Sequence, residues 1–99
     1  MFTTDTVISV GRCAQTNDVH INDPSVSRNH LQLRINSLDF IEVRDCGSSY
    51  GSFYWEGSQW LQFDVVTLSA NDYIVVGETK LRIMEIMIAY QIKSRSRGI

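Results

Sequence analysis

Short runs of alternating apolar and polar residues, cut by turn residues every few positions, restrict this chain to a β-fold. The clearest run is Leu31-Gln32-Leu33-Arg34-Ile35, which puts three aliphatic side chains on one face of a strand and two polar ones on the other. Asp5 to Val10, Val19-His20-Ile21, Phe40 to Arg44, Asp64 to Leu68, Tyr73 to Val76 and Lys80 to Met84 read the same way. Between them stand turn clusters: Asn22-Asp23-Pro24-Ser25, Asn36-Ser37, Glu56-Gly57-Ser58-Gln59, Ser69 to Asp72 and Gly77-Glu78-Thr79. Residues 30–44 therefore form a hairpin, and no helical period occurs before residue 85. Closely spaced short strands of this kind build an all-β sandwich or barrel. Glu85 to Ile92 is read as one more strand, because alternation continues through Ile86, Ile88, Tyr90 and Ile92, although Met87 and Ala89 also suit a helix.

Ninety-nine residues make one domain, placed at residues 1–92. The basic segment Lys93-Ser94-Arg95-Ser96-Arg97 within 93–99 reads as a disordered tail or the start of a linker. A hydrophobic fraction of 43% against 20% charged residues excludes a disordered chain. No apolar run approaches the roughly 20 residues of a membrane span, and the N-terminus lacks the pattern of a signal peptide, so an intracellular protein, cytoplasmic or nuclear, is expected. Cys13 and Cys46 stand alone, which argues against a metal site, and no cofactor is expected. A net charge of −2 gives no global field to attract nucleic acid.

The chemistry is concentrated in three loops: Gly11-Arg12, Ser25 to His30, and Gly47 to Gly51. A sandwich clusters its loops at its two ends. With all three at one end, Arg12, Ser27, Arg28 and Ser49 would supply two guanidiniums, two hydroxyls and glycine-freed amides, the groups that bind a phosphate dianion. Ser27, His30 and Asp23 or Asp45 also offer the residue types of a hydrolytic triad. A histidine three positions on, in an emerging strand, points away from Ser27 or is buried, and no nucleophile elbow is present, so an enzyme is not expected.

Gly11-Arg12, Ser27-Arg28-Asn29-His30 and Asp45-Cys46-Gly47-Ser48-Ser49-Tyr50-Gly51-Ser52-Phe53, in this order, resemble the successive motif blocks of the forkhead-associated (FHA) domain, a likeness running over roughly residues 5–84. The resemblance implies a sandwich of two packed, mainly antiparallel sheets whose loops bind phosphothreonine in a partner protein or peptide, without catalysis. By position, Arg12 would contact the phosphate or the adjoining peptide backbone, Ser27 would donate to a phosphate oxygen, Arg28 would pair with the phosphate, and Ser49 would line the site. His30, with Gly11, Gly47 and Gly51, would support the loops.

Two departures stand out. The family commonly carries asparagine where this chain has Tyr50, and that side chain holds the peptide backbone; by position Tyr50 would make the peptide-backbone contact, with a hydroxyl that lies several ångströms farther out. Members also place a strand ahead of the one leading to the Gly-Arg pair, and ten residues precede Gly11 here. With that strand missing, Ile86 to Ile92 would form an open edge, able to pair two copies into a homodimer. The alternative reading is thus a phosphate-independent interaction or homodimerisation domain on an FHA scaffold. Six of the ten aromatic residues fall between Tyr50 and Phe63, too many to bury from alternating strand faces, so some should be exposed beside the binding loops.

Overall fold

A computed structural model describes residues 5–97. In chain order the described elements are β1 (Thr6–Gly11), β2 (Val19–His20), β3 (Leu31–Ile35), β4 (Ile41–Asp45), β5 (Ser52–Trp55), β6 (Trp60–Gln62), β7 (Val65–Leu68), β8 (Tyr73–Val76), β9 (Thr79–Arg82) and α1 (Ile83–Arg97). The strands form two sheets, one ordered β2-β1-β3-β4-β7 and the other β6-β5-β8-β9. Among the described residues, β1 and β2 alone pair in parallel, and every other ladder is antiparallel. The fold is a two-sheet β-sandwich closed by a helix.

Register and patterning agree closely. Pairing Ile8 with Leu33, and Leu33 with Val43, lines up three fully buried side chains across the first sheet. Ile74, Val76 and Leu81 cover them from the second sheet in the same core cluster. Because strand side chains alternate, a one-residue slip would turn each buried set into water, and burial thereby fixes the register. The chain first passes from one sheet to the other through the loop between β4 and β5, and returns to the first sheet for β7 alone.

The strand expected over Glu85 to Ile92 is absent: the segment is helical, within α1. Its buried positions are Ile83, Ile86 and Met87, with Tyr90 packed against the core, a helical spacing, whereas Ile88 and Ile92 are exposed. Two anchors start the helix, the amides of Ile83 and Met84 donating to the carbonyls of Asp72 and Ala70 at 3.0 and 2.9 Å. Glu85, in the first turn, accepts from the Arg82 amide at 3.3 Å. A helix presents no strand edge, so the open edge along Ile86 to Ile92, and a homodimer built through it, lose their structural basis. Lys93, assigned to a loose tail, sits within α1 and donates from Nζ to the Asn17 carbonyl at 3.1 Å. A strand ahead of β1 would fall on residues 1–4, outside the described residues.

Candidate functional site

The end of β1 organises the site. Gly11 packs so closely on the second loop that a Cβ would lie 2.0 Å from the Arg28 carbonyl oxygen; only glycine fits. The next amides continue the contact, Arg12 donating to the Ser27 carbonyl at 3.0 Å and Cys13 to that of Arg28 at 3.3 Å. Asn17, itself buried, donates from Nδ2 to the Arg28 and Cys13 carbonyls at 2.5 and 2.8 Å. Val26 plugs the middle of the second loop into the core. Ser27, Arg28 and Asn29 are thus held between a buried valine and a buried histidine.

That histidine, His30, is fully buried and both ring nitrogens are engaged. Nδ1 accepts from the Ser27 amide at 3.0 Å, which places the proton on Nε2, facing the Gly51 carbonyl at 3.0 Å. One imidazole therefore bolts the second loop to the third. Gly51 has φ +85°, a left-handed turn that suits glycine. A second bolt runs outside it, the Ser49 amide donating to Ser27 Oγ at 3.0 Å.

Asp45 shapes the third loop from below. Its Oδ1 accepts from the Gly47 and Ser48 amides at 2.9 and 2.8 Å, an Asx turn, while Oδ2 accepts from the Ser48 and Ser52 hydroxyls at 2.5 and 2.6 Å. Partial burial pushes the Asp45 carboxyl up, but those four bonds outweigh it and hold the group below its ordinary value. For His30 the balance is opposite. Burial pushes its pKa down, and neither the Gly51 contact nor the nearby Asp45 charge restores it. The site holds a neutral imidazole above an ionised carboxylate.

A fourth segment joins from the β8–β9 turn. The Glu78 amide donates to Ser25 Oγ at 2.8 Å, and the Thr79 hydroxyl donates to Asp23 at 2.5 Å. The Thr79 bond, followed by those from Ser25, holds the Asp23 carboxyl below its usual range. Asp23 and Asp45 thus spend their charge on loop architecture. Neither forms an ion pair with Arg28.

What remains outward-facing is cationic and hydroxylic. Arg12, Arg28 and Ser49 are exposed and Ser27 is half-buried. Arg12 is aimed by one bond, from Nε to the Val26 carbonyl at 2.9 Å, and neither arginine has an acidic partner among the described residues. Ser27 Oγ, already accepting from Ser49, keeps its proton to donate. Tyr50 stands at the rim, 66% exposed and without a hydrogen bond to a described residue. Among the described residues no cluster of His, Cys, Asp or Glu could hold a metal ion.

Four contributors were not singled out from sequence as site residues. Asp45 and Asp23 had a readable signal, an aspartate two or three positions ahead of Gly, Ser or both, which favours an Asx turn. Val26 was readable as the lone apolar residue in a polar loop. Asn17 had none, because its partners lie in other segments.

A two-sheet sandwich that fixes exposed arginines and hydroxyls on loops at one end is a binding module. The chain belongs to the FHA-domain family: the family model for the FHA domain matches residues 8–77, which leaves α1 outside the match. Among solved structures it resembles the FHA domain of the CT664 protein from Chlamydia trachomatis, at 26% identity, covering 80% of this chain and 76% of that one, TM-score 0.67. It also resembles the FHA domain of an Arabidopsis thaliana hypothetical protein, at 30% identity, covering 80% and 65% respectively, TM-score 0.63. The MEK1 FHA domain, solved with a phosphothreonine peptide of HOP1, shares the fold at 24% identity, with 78% of each chain covered and TM-score 0.61. No curated protein matches the chain.

Proposed function

We propose that this domain binds a phosphothreonine-bearing peptide of a partner protein, gripping the phosphate with Arg12, Ser27, Arg28 and Ser49. The observation that carries the reading is the junction at Ser27. Its oxygen is held by the Ser49 amide and its hydroxyl proton remains available, between two arginines that have no acidic partner among the described residues. A phosphate dianion supplies what this arrangement lacks, negative charge and several acceptor oxygens. FHA domains are interaction modules, and the related MEK1 domain was solved with a phosphothreonine peptide. Preference for threonine over serine follows from the resemblance, through a small pocket for the threonine methyl.

Binding without chemistry is the matching expectation. His30 Nδ1 accepts from the Ser27 amide rather than from Ser27 Oγ, so the imidazole is not placed to activate that hydroxyl. No helix among the described residues is long and apolar enough to cross a membrane.

Calorimetric titration with a phosphothreonine peptide library, each peptide paired with its unphosphorylated form, tests the proposal. Binding should require the phosphate, weaken with added salt, and fall as pH drops through ~6, the phosphate's second pKa. Ser27→Ala or Arg12→Ala should each weaken it by roughly 10- to 100-fold, the worth of a charge-assisted hydrogen bond. Tight binding retained in both variants would overturn the assignment.

A further inference from the structure

Two of the aromatic residues clustered in the sequence, Trp55 and Trp60, are exposed in a place the phosphate site does not use. Tyr54, Ile74 and Leu81 face the core, so alternation turns Trp55, Tyr73, Lys80 and Arg82 to the outer face of the second sheet. Trp55 pairs across the strands with Trp60 and Tyr73 with Arg82; the Tyr54–Ile74 register sets Trp55 and Tyr73 on neighbouring positions. Trp60, Trp55, Tyr73 and Arg82 therefore form one row crossing all four strands. The row lies away from the phosphate loops, since Ser52 opens β5 at those loops and Trp55 closes it.

This face departs from the polar outer surface usual for a sandwich. Trp55 and Trp60 are 40% and 38% exposed, their rings packed edge to face at 5.2 Å, and with Tyr73 and Lys80 they line a cleft of about 440 Å³. Neither indole N–H donates to a described residue. Two cations flank the cleft, the Lys80 ammonium and the Arg82 guanidinium standing 5.6 and 4.7 Å from the Tyr73 ring centre. The four strands of this sheet contain no Asp or Glu, although the whole chain has net charge −2. Of the neighbouring acids, Glu56 accepts from the Ser58 amide at 3.0 Å and Glu85 from that of Arg82 at 3.3 Å.

We propose that this face is a second peptide-binding site, taking an acidic, proline-bearing segment of a partner protein. Charge selects the sign of the ligand: cations beside the cleft repel a lysine or methyl-lysine side chain and attract aspartate or glutamate. The aromatic row and idle indole donors select its shape. Proline rings lie flat on indole and phenol faces, and the carbonyls of an extended proline-rich segment have no internal hydrogen bonds, so they accept from tryptophan N–H groups. Nucleic acid is the weaker fit, because two cations can neutralise few phosphates. A partner carrying both a phosphothreonine and such a segment would engage both sites at once, with the gain in avidity that linkage brings.

The two indole N–H resonances in a ¹⁵N-correlation spectrum report directly on this face, whatever happens at the phosphate site. The probe is a synthetic peptide of alternating proline and aspartate, compared with a proline–lysine peptide and oligo-dT. The first should shift both indole signals saturably and the other two should not. Lys80→Glu, an exposed edge-strand change that leaves the core intact, should weaken the aspartate peptide by about tenfold or more. Absence of shifts at millimolar aspartate peptide, equal shifts with the lysine peptide or oligo-dT, or unaltered affinity in Lys80→Glu would each overturn the proposal.

Discussion

The Ser49 amide donates to Ser27 Oγ at 3.0 Å, joining two loops 22 residues apart at the atom proposed to meet the phosphate. The bond has a consequence that does not require ligand. Ser27→Ala should release the Ser49 amide, so its hydrogen exchange should speed up by roughly fivefold, the worth of one hydrogen bond of about 1 kcal/mol, with the β1 and β3 amides unchanged. Equal protection of Ser49 in both proteins would show that the loop is held by other contacts.

His30 makes stability acid-sensitive. Its folded pKa lies below the ordinary value of 6.5, so the unfolded chain takes up the proton first. The stabilisation from the neutral, buried ring is complete above about pH 6.5 and declines as pH falls toward the depressed folded pKa. Urea denaturation between pH 7 and 5 should show this decline. His30→Ala should lower stability by about 3 kcal/mol through the cavity and two lost contacts, and should remove the histidine part of the slope.

Gly11→Ala should damage the site more than its size suggests. The added methyl would meet the Arg28 carbonyl at 2.0 Å and the Asn17 amide at 2.8 Å, both fixed in the loop base. We predict a loss of at least about 2 kcal/mol in thermal or chemical unfolding, typical of overpacking, together with loss of phosphopeptide binding.

Lys93 links the helix to the site in two steps, from its Nζ to the Asn17 carbonyl and from the Asn17 amide to the Arg28 carbonyl. Lys93→Met should keep the helix, by circular dichroism, yet weaken phosphopeptide binding by roughly threefold, a fraction of one hydrogen bond's worth passed through Asn17. Lys93→Arg, which keeps a donor, should recover most of the loss.

Tyr50→Asn should tighten phosphopeptide binding several-fold. The native side chain extends into solvent, whereas asparagine would restore the short amide that the family resemblance associates with holding the peptide backbone. Unchanged calorimetric affinity would mean that this chain contacts the peptide differently.

The strands and the composition of the loops were legible in the sequence, and the choice of a sandwich over a barrel followed from the family resemblance. Runs such as Leu31 to Ile35 can bury one face only as strands, and Gly11, Ser27, Arg28 and Gly51 carry information in residue type and order that needs no neighbours to read. Tertiary structure decided what local pattern leaves degenerate. Ile86, Ile88, Tyr90 and Ile92 alternate like a strand, yet the buried set is Ile83, Ile86 and Met87 with Tyr90 beside them, because the core accepts an apolar helical stripe there. Exposure of Trp55 and Trp60 away from the phosphate loops was likewise settled by strand register. The bond from Lys93 to Asn17, 76 positions apart, exists only because folding brings a helix against a loop, and no short-range pattern encodes such a contact.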